Sequence, residues 1–242
     1  MKNETKIIIG IVIAAVAILI VGAFVFSKNA VQDEVVSNEP VAMDILVKPN
    51  SHTTGLSQGE SKVTLVEFAD FECPACAYAH PMTKKIMKDY ADKITLVYRN
   101  FPLHINSNLA IYAAEAAGEQ GKFWEMHDRL FEGQQSWTGK PTKEVKEIFG
   151  QYATEIGLDV TKFKDVMDSK KYDNLIESDK KDGNTAGVGG TPTFFLNGKR
   201  LEGGVPTEAG LRKLIDEALK AKVPATPTAE IGNIEVEAVP AQ

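Results

Sequence analysis

The chain has 242 residues and a formal net charge of -6, with an isoelectric point near 5.4. This acidic balance argues against nucleic-acid binding, because contact with a phosphate backbone needs a basic face. The length fits one domain with linkers, and two cysteines are too few for a disulfide-rich scaffold or a cysteine-rich metal site.

An uncharged apolar segment begins at Ile7 and ends at Phe26. Its twenty residues are about the length that crosses ~30 Å of hydrocarbon as a helix. A secretory signal peptide has a shorter apolar core and a small-residue cleavage site. We therefore predict an uncleaved single-pass anchor within residues 1–28, in contact with the lipid bilayer. A cleaved signal peptide is the alternative.

The charges around this segment predict its orientation. Lys2 and Lys6 precede it, whereas Lys28 alone follows it before several acidic residues. The positive-inside rule then keeps the N-terminus in the cytoplasm. We expect the rest of the chain to be extracytoplasmic at the cell membrane, where disulfides persist.

Two further segments are poor in apolar residues. We predict an extracytoplasmic linker at residues 29–60, in which the apolar cluster 41–47 could form a short strand. Residues 222–242 contain three prolines, many small residues and no aromatic residue. Such a segment buries too little surface to offset its ordering entropy, so we expect a disordered tail.

Between these segments the pattern alternates strands and helices. A strand at 63–68, a helix at 74–90 and a strand at 94–98 form a βαβ unit. A helical block follows, with helices predicted at 107–119, 123–131, 142–156, 160–167 and 172–186. Two strands at 193–196 and 199–202 flank Asn197-Gly198, which favours a two-residue hairpin turn, and a helix at 208–221 closes the domain. This order predicts a sheet that mixes parallel and antiparallel strands.

The only two cysteines stand in Cys73-Pro74-Ala75-Cys76, directly after the first strand and at the start of a helix. Two thiols at this spacing can close a disulfide reversibly. The helix start lowers the pKa of Cys73 through unpaired N–H groups and the positive end of the dipole. Pro74 suits the first helical turn and, with Ala75, forms the active-site loop. We assign Cys73 as the nucleophile and the more buried Cys76 as the resolving thiol.

The histidines allow two other interpretations of the cysteine pair, a zinc site and a Cys–His hydrolase. His80 could share a helix face with both cysteines, but a closed zinc site needs a fourth ligand, and none stands nearby in sequence. A Cys–His hydrolase would need His104 or His127 to meet Cys73, and neither sequence context supports it. We expect no metal ligand and a solvated His80.

Several other motifs accompany the cysteine pair. They are Glu67-Phe68, Asn100-Phe101-Pro102-Leu103, Gln120-Gly121-Lys122-Phe123-Trp124 with His127-Asp128, and Gly189-Gly190-Thr191-Pro192-Thr193-Phe194-Phe195. With these motifs, residues 61–221 resemble the DsbA-type thiol-disulfide oxidoreductases. The resemblance implies an α/β thioredoxin-like fold with a helical domain inserted at about 103–187. It also implies a cofactor-free enzyme that works through its redox-active disulfide. The dipeptide Pro74-Ala75 departs from the Pro-His pair typical of the most oxidising members.

The resemblance assigns roles to three more residues. Thr191 and Pro192 correspond to the cis-proline loop that faces the cysteines, where the Thr191 backbone pairs with a substrate peptide. The alternative is an ordinary trans proline that enters a strand. Glu67 corresponds to a buried acid that relays protons to Cys76, and burial would raise its pKa. The alternative for Glu67 is an exposed position on an edge strand.

These inferences predict a membrane-anchored, extracytoplasmic oxidoreductase that introduces disulfides into exported proteins. Its partners would be reduced, cysteine-containing exported proteins and a membrane or external redox partner, and we expect a monomer. A disulfide reductase or isomerase is one alternative. A noncatalytic peptide-binding or chaperone module with a permanent Cys73–Cys76 staple is another.

Overall fold

The computed structural model describes residues 39–57 and 60–221. The predicted membrane anchor within residues 1–28 and the predicted tail at 222–242 lie outside these residues. Within the described ranges, no helix is both long and apolar enough to cross a membrane.

Fourteen helices and strands are present in the described ranges. In chain order they are α1 Met43–Leu46, β1 His52–Gly55, β2 Thr64–Ala69, α2 Pro74–Tyr90, β3 Thr95–Asn100, α3 Ser107–Gly118, α4 Phe123–Glu132, α5 Gln134–Trp137, α6 Thr142–Glu155, α7 Val160–Met167, α8 Asp173–Thr185, β4 Thr193–Leu196, β5 Lys199–Arg200 and α9 Glu208–Lys220.

The five strands form one mixed sheet in the order β1-β3-β2-β4-β5. β2 and β3 are parallel, with Thr64 opposite Thr95, and the other pairs are antiparallel. The two central strands are almost entirely buried, as expected for strands covered on both faces. The mixed sheet predicted from the sequence is confirmed.

Helices cover both faces of the sheet. α2 and α9 pack on one face through residues such as Ile86 and Leu211. On the other face, Leu46 of α1 and Ala186 after α8 pack against side chains of the central strands. Each face of the sheet therefore buries its own apolar cluster.

The block from α3 to α8 lies between β3 and β4 and has its own core. The small side chains of α3 allow neighbouring helices to pack closely against it. Trp137 and Phe149 are fully buried in the same core. This is the α/β architecture with a helical insertion that the resemblance implies.

The predicted linker over residues 29–60 is wrong for residues 40–56. The cluster 41–47, predicted as a strand, contains the helix α1, and β1 was not predicted. The segment is attached to the sheet through hydrogen bonds from Val41 N to Gly198 O (2.8 Å) and from Leu56 N to Ile94 O (3.0 Å). Its ordering comes from these tertiary contacts, which are remote in sequence.

Arg99 on β3 links this segment to the insertion. Its guanidinium is buried and donates to the carbonyls of Ile45 (3.0 Å) and Leu46 (2.7 Å). The same group bonds to Asp179 (3.1 Å) and Asp182 (2.7 Å) on α8. A buried charge needs such partners to offset its lost hydration.

Replacing Arg99 by Met should lower the free energy of unfolding by about 3–5 kcal/mol, because the buried Asp179 loses its counter-charge. Urea unfolding would measure this change. Lys48→Met is the control, since Lys48 also pairs with Asp182 (3.4 Å) but is partly exposed. We expect the control to cost less than about 1 kcal/mol. Equal small losses in both variants would contradict a central role for Arg99.

Candidate active site

The junction of β2 and α2 positions the cysteines. Cys73 is the N-cap of α2, and Pro74 occupies the first helical turn. The backbone N–H groups of Cys76 and Ala77 both donate to Cys73 O at 3.1 Å, which closes the first turn. Both cysteines are free thiols. The Cys73 side chain therefore lies at the positive end of the helix.

The electrostatics of Cys73 favour its thiolate. A hydrogen bond from the Cys76 thiol lowers the pKa of Cys73 from 9.0 to about 5, against the opposing effect of partial burial. Hydrogen bonding from Thr191 and from the backbone of Cys76 and Ala75 acts in the same direction. Cys73 is mostly ionised at neutral pH and is thus a ready nucleophile or leaving group.

Cys76 behaves in the opposite way. Its side chain is fully buried, and this burial raises the pKa of Cys76 far above its ordinary value. The Asp70 N–H donates to Cys76 Sγ at 3.5 Å. The two cysteines therefore differ in protonation, although they are one helical turn apart.

The loop before β4 faces Cys73. The Thr191–Pro192 peptide bond is cis, so the trans-proline alternative is wrong. Cys73 Sγ lies 3.3 Å from Thr191 O, to which the thiol donates when Cys73 is protonated. The structure thus brings Cys73 to the Thr191–Pro192 loop, which lies more than a hundred residues later in the chain.

Glu67 lies in the centre of the sheet. It is opposite Tyr98 on β3 and Phe194 on β4, so the edge-strand alternative is wrong. The residue is 4% exposed. Burial raises the pKa of Glu67 from 4.5 to about 8. Its charge also contributes to the raised pKa of Cys76.

Two acids that our sequence analysis missed hold the active-site loop. The Asp70 carboxylate accepts hydrogen bonds from Glu72 N (2.9 Å) and Leu103 N (2.8 Å). Glu72 accepts hydrogen bonds from Asn106 N (2.5 Å) and Gly139 N (3.2 Å). Their positions on either side of Phe71, just before the cysteine pair, are the signal that could have indicated this role.

Gln134 and His104 complete the support of this loop. The Gln134 amide donates to Phe71 O (2.8 Å) and Cys73 O (2.9 Å). His104 Nδ1 lies 2.7 Å from Asp70 Oδ2, and this hydrogen bond raises the pKa of His104. No local sequence pattern predicts these contacts, because both partners come from the helical insertion and the loop before it.

Exposed apolar side chains lie on the elements around the cysteines. Tyr78 on α2 is 80% exposed, and Ile105 in the loop before α3 is 86% exposed. Leu103, whose N–H bonds to Asp70, is half-exposed. This surface can receive an apolar peptide segment.

The prediction that His80 is solvated is wrong. His80 is 5% exposed. Its ring lies 5.3 Å from the His127 ring and 5.1 Å from the Phe131 ring. The side chain faces α4, because the packing of α2 on α4 encloses it.

Comparisons with known proteins identify similar chains. The model of the family described as Thioredoxin matches residues 49–217. An Na(+)/H(+) antiporter NhaA 3 of Salinispora tropica is 39% identical over 153 residues, which are 62% of this chain and 22% of the relative. An Na(+)/H(+) antiporter NhaA of Herminiimonas arsenicoxydans is 32% identical over 197 residues, 81% of this chain and 30% of the relative. The chain thus spans less than a third of these two relatives.

Solved structures with the same fold were also found. A thioredoxin-like oxidoreductase from Silicibacter pomeroyi shares 28% identity over 75% of this chain and 100% of that chain, with a TM-score of 0.62. Oxidised BdbD from Bacillus subtilis shares 22% identity over 76% of this chain and 98% of that chain, with a TM-score of 0.64. The alpha-DsbA1 of Wolbachia pipientis shares 22% identity over 72% and 93% of the two chains, with a TM-score of 0.63.

The unequal thiols can be tested by titration. In the reduced protein we expect ultraviolet thiolate absorbance to appear with a midpoint near pH 5, because Cys73 ionises there. Cys76 should stay protonated through neutral pH. Cys73→Ser should abolish the low-pH transition. A midpoint close to that of a free cysteine in the wild type would contradict stabilisation of the Cys73 thiolate.

Burial of Glu67 should make stability depend on pH. Its pKa is raised from 4.5 to about 8 in the folded state, so the unfolded chain loses this proton first. The wild type therefore loses stability as the pH rises from about 4.5 to 8, at a rate of at most about 1.4 kcal/mol per pH unit. Glu67→Gln lacks this titration.

Denaturant unfolding of the wild type and Glu67→Gln at several pH values would measure the difference. The advantage of the Gln variant should grow over that pH window, while titrations common to both proteins cancel. Glu125→Gln, at an exposed position of α4, is the matched control and should show no such trend. A constant difference between wild type and Glu67→Gln would show that Glu67 is not buried as a neutral acid.

Proposed function

Because this chain belongs to the thioredoxin family and is a DsbA-like thiol-disulfide oxidoreductase, we propose that it introduces disulfide bonds into exported proteins. One observation supports this direction of electron flow. Beside the Thr191–Pro192 loop, the pKa of Cys73 is lowered and the pKa of Cys76 is raised. Stabilising the Cys73 thiolate favours the reduced enzyme, which makes its disulfide a better oxidant.

The reaction begins with the oxidised enzyme. A substrate thiolate attacks Cys73 Sγ, a new disulfide joins substrate and enzyme, and the Cys73–Cys76 bond breaks. Cys76 leaves with the electron pair and takes a proton, because its buried thiolate is unfavourable. Glu67, with a pKa of about 8, is protonated at neutral pH and can supply that proton.

A second substrate thiolate then completes the exchange. It attacks the substrate sulfur of the mixed disulfide, and Cys73 leaves as a thiolate. The substrate gains a disulfide and the enzyme gains two electrons. The low pKa of Cys73 favours this release, since a more acidic thiol is the better leaving group. A membrane or external redox partner would then reoxidise the enzyme, and no cofactor besides the cysteine pair is needed.

The surface around Cys73 suits reduced, unfolded proteins as substrates. Tyr78 and Ile105 expose apolar surface that such chains can cover. We propose that the Thr191 backbone pairs with an extended substrate segment next to the cysteine, and that Pro192, which has no N–H, leaves that pairing free of a competing donor.

We place this activity at the cell membrane, outside the cytoplasm. The support is the apolar segment from Ile7 to Phe26 and the lysines that precede it. The enzyme would act there as a monomer. Because the chain spans less than a third of the two relatives named as antiporters, we propose no ion transport.

The equilibrium reduction potential of Cys73–Cys76 against glutathione tests the direction of electron flow. We expect a value nearer to about -120 mV, typical of a strong disulfide donor, than to about -270 mV, typical of thioredoxin. A thioredoxin-like value would support a reductase or isomerase instead. A disulfide below about -300 mV, which glutathione does not reduce, would support a permanent staple in a noncatalytic module.

Trapping in cells tests the substrates. Cys76→Ser should accumulate mixed disulfides between Cys73 and exported proteins, because the resolving thiol is absent. They would be visible on nonreducing gels and lost on reduction. The control is Cys73→Ser/Cys76→Ser, which cannot form them. A folded Cys76→Ser variant without such complexes would contradict the proposed function.

A further inference from the structure

A second group of reactive side chains lies between α2 and α4, separate from the cysteines. His80 comes from α2, and His127 and Asp128 come from α4. One ligand atom of each residue lies within 4.8 Å of the other two. The cysteine and histidine combination considered from the sequence is therefore not the one that the fold assembles.

The distances between the ligand atoms of this cluster match those around a small metal ion. Asp128 Oδ1 lies 3.5 Å from His80 Nε2 and 3.2 Å from His127 Nδ1. In a tetrahedral zinc site with bonds of about 2.0–2.1 Å, neighbouring ligand atoms are about 3.4 Å apart. Small shifts of the side chains would make these two separations equal to the edges of such a tetrahedron.

The second oxygen of Asp128 is already engaged. Lys84 Nζ lies 2.7 Å from Asp128 Oδ2 and 2.8 Å from Glu132. This pairing fixes the carboxylate and leaves Oδ1 directed toward the two imidazoles. Glu132 offsets the charge of Lys84, so the ammonium group does not cancel the negative charge offered to a cation.

His80 supplies an independent sign of a missing partner. Its Nε2 atom is buried and makes no hydrogen bond. A buried polar atom left unpaired costs about 1–3 kcal/mol, so native structures seldom retain one without a reason. A bound cation would satisfy this nitrogen without moving the ring.

A cavity of about 150 Å³ adjoins the cluster. His80, His127 and Asp128 all line it, together with Glu67, Thr83, Lys84 and apolar side chains. This volume can hold an ion with water, since one water needs about 30 Å³ of liquid volume. The cavity would leave a fourth coordination position open to water. Asp128 is 29% exposed, which gives an ion access from solvent.

Aromatic packing explains where the rings lie but not the unpaired nitrogen. The His80 ring stacks on Phe131, and the His127 ring contacts Phe71 and Tyr98 edge-on. These contacts hold the two rings with nitrogen atoms near Asp128. An apolar ring at position 80 would pack as well without burying an unsatisfied atom.

We propose that His80, His127 and Asp128 form a binding site for one divalent transition-metal ion, with Zn²⁺ as the first candidate. Two imidazoles and one carboxylate are ligands that suit Zn²⁺. The proposal is independent of the direction of disulfide exchange. It departs from our expectation of no metal because His127 and Asp128 are remote from His80 in sequence.

Metal titration of the full chain tests the site. The Cys73→Ser/Cys76→Ser variant is used as the parent protein, because free thiols would bind the same ions. Added Co²⁺ should bind one equivalent and give the visible absorption of a four-coordinate ion, and Zn²⁺ should displace it. Zn²⁺ should also raise the thermal unfolding midpoint, because it binds the folded state.

Substitutions in the same parent identify the ligands. His80→Phe, His127→Phe and Asp128→Asn should each weaken Co²⁺ and Zn²⁺ binding at least about tenfold. His52→Gln is the matched control, since His52 is stacked on Phe123 outside the cluster, and it should bind normally. Equal weak binding in all variants, or no saturable binding in the parent, would overturn the proposal.

Histidine NMR tests the site without substituting its ligands, so the result does not depend on whether a variant folds. The chain has four histidines, and Zn²⁺ should shift the ring signals of His80 and His127 in the unsubstituted cluster. The signals of His52 and His104 should stay in place. Shifts confined to His52 or His104 would show that the ion binds elsewhere and would overturn the proposed site.

Discussion

The chemistry of this protein depends on one placement, the start of α2 at the end of β2. Cys73 caps the helix and lies against Thr191, whereas Cys76, one turn later, is fully buried. The same short motif therefore contains one thiol that ionises readily and one that stays protonated. The packing fixes this contrast, because Cys76 is buried against the core of the helical insertion and β4, next to β2 in the sheet, brings the cis-proline loop to Cys73.

Arg99 and Glu67 are both buried in the sheet, and the protein accommodates them differently. Arg99 keeps its charge because two aspartates and two carbonyls surround it. Glu67 has no such set of partners, and burial raises its pKa to about 8. The paired group connects parts of the fold, whereas the neutral acid can exchange a proton near neutral pH. Burial with partners thus serves stability, and burial without them leaves a group available for chemistry.

Helix α2 connects the cysteine site with the proposed metal site. Its first turn holds the cysteines, and the next turn presents His80 toward α4. The cavity beside His80 is also lined by Glu67, so the proposed proton donor and the proposed metal ligands line the same cavity. The helical insertion has a direct part in both sites, because Gln134 bonds to Cys73 O and α4 carries His127 and Asp128.

The sequence by itself determined the local features of this protein. Apolar periodicity, Pro74 and Asn197-Gly198 placed most helices and strands within one or two residues, because local backbone preferences and one-sided burial decide them. The helix start also located Cys73 and Cys76, as the motif lies within one turn. Only the tertiary structure decided that 40–56 packs on the sheet, that Asp70 and Gln134 hold the active-site loop, and that His80 meets His127. These contacts join residues remote in sequence, so their geometry arises from the packing of whole elements and leaves no periodic signal in the chain.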